Sequence, residues 1–379
     1  MPSSGIVRRV FRVVLLAALI CIHAIGMFAA SPAQQQPDAR TIVAESQSIH
    51  TANGVEVRET VKLGGIPQWI TVRGKDLSNP LLLYIHGGPG DTMMGVSWTF
   101  QRPWEDYFTV VQWDQRGAGK TYAANDWATV KPTMKIERFV DDAEELVQYL
   151  RTKYHKRKIV LLGHSWGTVI ATELAQRHPE WFSVYVGTGQ VVDTRESERL
   201  GYEETLKDAR SANNAEALKD LEALAPYPGT SGPISFDKTM KERKWLVHFG
   251  GYTWRNTNDH YEDLMRLSPD YTDADVKGYE EGDEKSPRAI WDQFSEVNFW
   301  KRNVFRCPVV LLQGSHDLNV SHELVARWYA TLHAPSKKLV WFPNSSHMVM
   351  MEEPGRTFYH LMTDVRPLAV AADREAPRD

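Results

Sequence analysis

The sequence predicts an α/β architecture: an open, mostly parallel eight-stranded sheet with helices on both faces and an inserted helical lid. Short apolar runs without polar alternation recur along the chain, as strands covered on both faces require. Segments of helical periodicity lie between them, and strands alternating with helices argue for a parallel sheet. From about 191 to 303 the strand-like runs stop, charge rises, and large aromatics stand out as Trp245, Phe249, Tyr252, Trp254, Trp291, Phe294 and Trp300.

Taken in order, strands are expected at about 54–62, 66–73, 81–86, 108–113, 158–163, 183–188, 308–313 and 338–342. Ile136, Phe139, Val140, Ala143, Leu146, Val147 and Leu150 repeat at helical spacing, with Pro132 and Thr133 as the start signal. The chain then divides into a flexible leader at 34–50, a catalytic core at 51–190 and 304–379, and a lid at 191–303. The lid aromatics read as lid core, some also facing substrate. Glu203, Glu204, Glu242 and Glu296 are acidic groups that could hold a substrate amine, but a solvated helix face is the preferred reading of each, and none is assigned.

Gly163-His164-Ser165-Trp166-Gly167 lies between the apolar run Lys158–Leu162 and the helix-like Thr168–Ala175. Strand, tight turn and helix are the context in which G-x-S-x-G forms a nucleophile elbow, with the serine in a strained conformation and its Oγ exposed. Glycines at 163 and 167 let strand and helix approach closely.

A nucleophilic serine needs a base to take its proton and an acid to orient that base. On the α/β-hydrolase fold these follow in the order Ser, Asp or Glu, His, each on a loop after a strand. The strand Cys307–Leu312 empties into Gly314-Ser315-His316-Asp317, which makes Asp317 the acid. The strand Lys338–Phe342 empties into Pro343-Asn344-Ser345-Ser346-His347, which makes His347 the base, with His316, His322 and His360 as nearby rivals. The oxyanion hole requires the backbone N–H after the nucleophile, Trp166, and one from the loop after the third strand. That loop is His86-Gly87-Gly88-Pro89-Gly90, where Gly88 is the expected donor and Gly87 the near alternative.

His86–Gly90, then Val110-Val111-Gln112-Trp113-Asp114-Gln115-Arg116-Gly117-Ala118-Gly119, then Gly163–Gly167 resemble the three signatures of proline iminopeptidase-like α/β-hydrolases. Gly314-x-x-Asp317, and His347 with Glu353-Pro354 shortly after, extend the resemblance, which covers roughly 50–190 and 300–365. It implies an exopeptidase that removes an N-terminal residue, often proline. Two departures concern the substrate. The family's lid pattern Trp-x-x-Trp-Glu, whose glutamate helps hold the substrate amine, is echoed only loosely by Trp291–Glu296. Lys120–Asn125 replaces the usual arginine-serine-proline continuation.

Other chemistries are disfavoured. Gly117-Ala118-Gly119-Lys120-Thr121 ends like a phosphate-binding loop, but the first glycine of that motif would fall on Asp114, so the segment reads as a brace for the active-site floor. No metal-binding spacing is present, and no cofactor is expected. An aspartate nucleophile, as epoxide or haloalkane hydrolysis would want, is replaced by Ser165.

Residues 1–33 read as an export signal: Arg8, Arg9 and Arg12, an apolar run from Val13 to Ala30, and Ser31-Pro32-Ala33 as the cleavage site. A periplasmic or secreted protein is expected, with an uncleaved N-terminal anchor as the alternative. Cleavage would leave 41 basic against 48 acidic side chains, which disfavours nucleic acid and anionic membranes as partners. Cys307 would then be the sole cysteine, a small buried hydrophobe unable to form an internal disulfide.

The residues thus point to a serine hydrolase acting on a small molecule or short peptide. Three functions compete: a proline iminopeptidase-like aminopeptidase, a carboxylesterase or lactonase on a neutral ester, and a non-catalytic ligand-binding relative, which an intact triad disfavours.

Overall fold

The computed structural model describes residues 37–255 and 260–374. The expected export signal lies outside them. Among the described residues, those from Val43 onward form one compact unit. Within the segment expected as a flexible leader, Ala39–Ser46 is helical, started by the Asp38 carboxylate accepting from the Thr41 N–H at 2.8 Å.

Eight strands form one sheet: β1 (Val55–Leu63), β2 (Ile66–Gly74), β3 (Leu81–Ile85), β4 (Thr109–Trp113), β5 (Ile159–His164), β6 (Phe182–Thr188), β7 (Val309–Gly314) and β8 (Lys337–Phe342). The order is β1-β2-β4-β3-β5-β6-β7-β8, antiparallel at β1–β2 and β2–β4 and parallel from there on. Each expected strand lies within one residue of its observed bounds. The central strands β3, β5, β6 and β7 are buried along their whole length, which explains their unbroken apolar sequence. At the edge, β1 alternates between covered and exposed positions.

Among the helices, α1 (Gly119–Ala123) closes the loop after β4, α2 (Ile136–Lys153) covers one sheet face, and α3 (Trp166–Arg177) follows β5. The stripe Phe139, Val140, Ala143, Leu146, Val147 and Leu150 is the buried face of α2. Pro132 and Thr133 do not start it. They belong to a separate 3₁₀ turn, Lys131–Thr133, and α2 begins at Ile136. The Thr133 hydroxyl is already engaged, donating to Val130 O at 2.6 Å and accepting from Arg116 Nη1 at 2.7 Å.

Between β6 and β7 the chain is helical: α4 (Thr194–Ser211), α5 (Ala215–Glu222), α6 (Phe236–His248), α7 (Tyr261–Arg266) and α8 (Asp273–Phe294). Trp245 and Trp291 are buried in a lid cluster with Tyr202, Leu206, Leu221 and Tyr227. The longest lid helix, α8, packs on α1 and the loop before it. A Cβ at Gly278 would stand 2.8 Å from Gly119 O, and one at Gly282 would stand 2.6 Å from Gly117 O. After β7, α9 (His322–Thr331) returns the chain to the edge strand β8. Cys307 is buried, and burial pushes its thiol up to about 12. No helix among the described residues is long and apolar enough to cross a membrane.

Candidate active site

The β5–α3 junction makes the turn its glycines suggested. Ser165 adopts φ 52° and ψ −123°, a conformation that costs a residue with a side chain of order 1–3 kcal/mol and that the surroundings must enforce. They do so by accepting the Ser165 N–H on Thr188 O at 2.9 Å and by donating the Thr168 N–H (2.8 Å) and the Thr168 hydroxyl (2.6 Å) to Ser165 O. A Cβ at Gly167 would lie 2.1 Å from Ile85 O, and one at Gly163 would lie 2.8 Å from Gly167 O, so neither position admits a side chain. Trp166 opens α3, where the first N–H groups have no intrahelical acceptor.

Asp317 and His347 converge from the loops after β7 and β8. His347 Nδ1 donates to Asp317 Oδ2 at 2.9 Å, and both side chains are buried. Asp317 also accepts from Gln313 Nε2 at 3.0 Å and from the Val320 N–H at 2.9 Å, so its lone pairs face donors rather than water. The three rival histidines are employed elsewhere. His316 stacks on Trp254, His322 Nδ1 pairs with the backbone oxygen of Asp317, and His360 Nδ1 pairs with Asp364 at 2.7 Å.

The line of hydrogen bonds is only half formed. His347 Nε2 accepts from Asn319 Nδ2 at 3.1 Å rather than from the serine hydroxyl. Asn319 lies two residues beyond Asp317 and gave no sequence signal, since a short polar residue in a loop is ordinary turn chemistry.

The loop after β3 sits over the serine. A Cβ at Gly87 would come 3.2 Å from Ser165 Cβ, and Gly88 has φ 99°. His86 anchors this loop, accepting from the Gln115 N–H at 3.1 Å, and burial lowers its imidazole to about 4, so it is neutral. Gln115 in turn donates to His86 O and accepts from the indole of Trp166. Asp114 ties the same region together, accepting from the hydroxyls of Thr92 and Tyr271 and from the Lys120 N–H. The segment Asp114–Thr121 is therefore a brace under the site, as its failure to match a phosphate loop suggested.

Ser165, His347 and Gly88 open onto a cavity of about 570 Å³ whose opposite wall is lid. Val191, Phe236, Trp291 and Phe294 make an apolar side, and among the described residues Asp91, Glu198, Asp283 and Glu284 are its carboxylates, beside Arg243 and Arg288. Of the acidic residues singled out from the sequence, Glu203, Glu204 and Glu296 pair on the surface with Arg199, Lys207 and Arg195. Glu242 is fully buried behind the wall, bonded to Thr205 and Arg243, and burial pushes it up to about 7.

Residues 80–354 match a family model described as the alpha/beta hydrolase fold. Among curated proteins, the probable aminopeptidase YbaC of Bacillus subtilis is 30% identical over 79% of this chain and 93% of its own length. The proline iminopeptidase of Heyndrickxia coagulans is 23% identical over 72% of this chain and 86% of its own. Among solved structures, proline iminopeptidase from Mycobacterium smegmatis superposes with a TM-score of 0.58 at 17% identity, over 84% of this chain and all of that one.

Proposed function

The chain belongs to the alpha/beta hydrolase fold family, and from that premise we propose that it is a serine hydrolase working through an acyl-enzyme, an exported aminopeptidase of the proline iminopeptidase type. The observation that carries the proposal is the buried His347–Asp317 pair at 2.9 Å, opening onto the same cavity as a serine held at φ 52°.

His347 takes the Ser165 proton as Oγ attacks the carbonyl, while Asp317 holds the imidazole in the tautomer whose Nε2 is free to accept. The attack requires Asn319 to give up its bond to that nitrogen. The N–H groups of Gly88 and Trp166 receive the charge that develops on the carbonyl oxygen. His347 then protonates the leaving amine, and a water activated by the same imidazole releases the acyl group. Asp91 and Asp283 in the cavity wall support a substrate with a free amine over a neutral ester, and the relatives' names point the same way. Residues 1–33 support export.

The test is a side-by-side assay of proline arylamide, other aminoacyl arylamides and short acyl esters, using secreted or periplasmic and cytosolic fractions. Preference for the arylamides, in an exported fraction, is expected. Turnover of acyl esters alone would remove the aminopeptidase assignment, and activity confined to the cytosol would remove export. Ser165→Ala is expected to lower kcat by about 10⁶-fold; retention of most turnover would end the serine mechanism.

A further inference from the structure

An aminopeptidase must place the α-amine very near the reacting carbon. The amine nitrogen is two bonds from the carbonyl carbon, about 2.5 Å away by standard backbone dimensions. Whatever holds it must reach within one hydrogen bond of that point, beside the oxyanion loop.

Of the four cavity carboxylates, two are poorly suited. Glu198 is occupied, with Tyr227 OH and Arg243 Nη2 each 2.5 Å from its oxygens, and Arg243 cancels its charge. Glu284 is an exposed position of α8. Asp91 follows Gly88 by three residues in the same tight loop. A Cβ on Gly88 would stand 3.3 Å from Asp91 Cβ, just as one on Gly87 would stand 3.2 Å from Ser165 Cβ. One loop therefore carries both the oxyanion donor and a carboxylate. The lid closes on this loop at Gly90, where a Cβ would stand 3.0 Å from Asp283 Cα, so a second carboxylate-bearing residue flanks it.

The Asp91 carboxylate is also oriented. Tyr252 OH lies 3.3 Å from Oδ2 and Tyr279 OH lies 3.4 Å from Oδ1, hydroxyls that stabilise its charged form. The rings of Tyr252, Tyr261 and Tyr279 all line the same cavity. A carboxylate held by hydroxyls at a cavity wall suits an ammonium group, since a charged hydrogen bond is stronger than a neutral one.

We propose that Asp91 holds the free α-amine of the substrate, with Asp283 as the second carboxylate. This rests on the aminopeptidase assignment above. It places the main amine contact on the core loop that also stabilises the oxyanion, with the lid adding Asp283 from α8. An N-blocked peptide would lose the site's main polar contact.

The experiment compares wild type, Asp91→Asn, Asp283→Asn and Glu198→Gln on an aminoacyl arylamide, its N-acetylated counterpart and a short acyl ester. For Asp91→Asn, kcat/KM on the free-amine arylamide is expected to fall about 100-fold relative to kcat/KM on the ester, mostly through KM. Asp283→Asn should shift the same ratio in the same direction by a smaller factor. Ester turnover by the variant serves as the check that it is folded. Equal losses on amine and ester substrates would reduce Asp91 to a tie between loop and lid, and would overturn the proposal. A ratio unmoved in Asp91→Asn but shifted in Glu198→Gln would put the amine in the lid and overturn it too. These outcomes are separate from failure of the aminopeptidase assignment itself, in which wild type would already ignore the free-amine arylamide.

Discussion

Asp317 shows how much of the proposed chemistry hangs on single atoms. It is buried completely and accepts from an imidazole, an amide side chain and a backbone N–H. Asp317→Asn keeps the shape but offers one oxygen and two N–H groups, so the amide can face His347 Nδ1 with a donor and stabilise the wrong tautomer. The expected result is a fall in kcat of about 10⁴-fold with little change in KM, read from steady-state kinetics; a loss under tenfold would sink the role assigned to this carboxylate. The strained turn at Ser165 and the pairing of Asp317 with His347 were legible because each is tied to a local signal: a glycine-framed turn, or the loop following an apolar run. Gln313, Asn319 and Asp91 were not, because a buried amide in a strand and two polar loop residues acquire meaning only from the groups they face.

At the scale of elements, the seating of α8 decides the shape of the cavity. Glycine inside a helix ordinarily costs about 0.5–1 kcal/mol, yet α8 carries Gly278 and Gly282 on the side that meets the loop Gly117–Gly119. Ser286 Oγ continues that side by donating to Gly117 O at 2.8 Å. Close backbone approach offsets the propensity loss and holds Tyr279 and Asp283 at the cavity wall. Gly282→Val would push the helix off its seat, with an expected destabilisation of about 1–3 kcal/mol and a raised KM. Thermal melts and steady-state kinetics check this, and an unchanged melting temperature would show that the helix can shift without cost. The strands and α2 were readable to within a residue or a turn, since period and burial are printed in the apolar pattern. The start of α2 was not, because Thr133 spends its hydroxyl on a neighbouring loop.

For the molecule as a whole, the buried brace has a pH signature. Burial raises Asp114 from 3.8 to about 6, so the folded protein holds this proton more tightly than the unfolded chain. Between those two values the native state binds more protons, and stability falls as pH rises. The cost of ionising Asp114 is absent below about pH 3.8 and fully present above about pH 6. Removing the carboxyl in Asp114→Asn should therefore shift the melting-temperature difference between variant and wild type in the variant's favour as pH rises from 4 to 6, with no further change above 7. A difference independent of pH across that range would show that Asp114 ionises normally.

The amino-acid sequence by itself determined the sheet, its order of alternation with helices, and the three residues expected to carry the reaction. Those depend on interactions a few residues long: alternation, periodicity and the steric demands of a tight turn. Tertiary structure alone decided which carboxylates reach the cavity, that Asn319 bonds the imidazole, and that the lid meets the loop after β3 at Gly90. Each of these is a contact between segments far apart in the chain, and only the packed fold sets the distance between them.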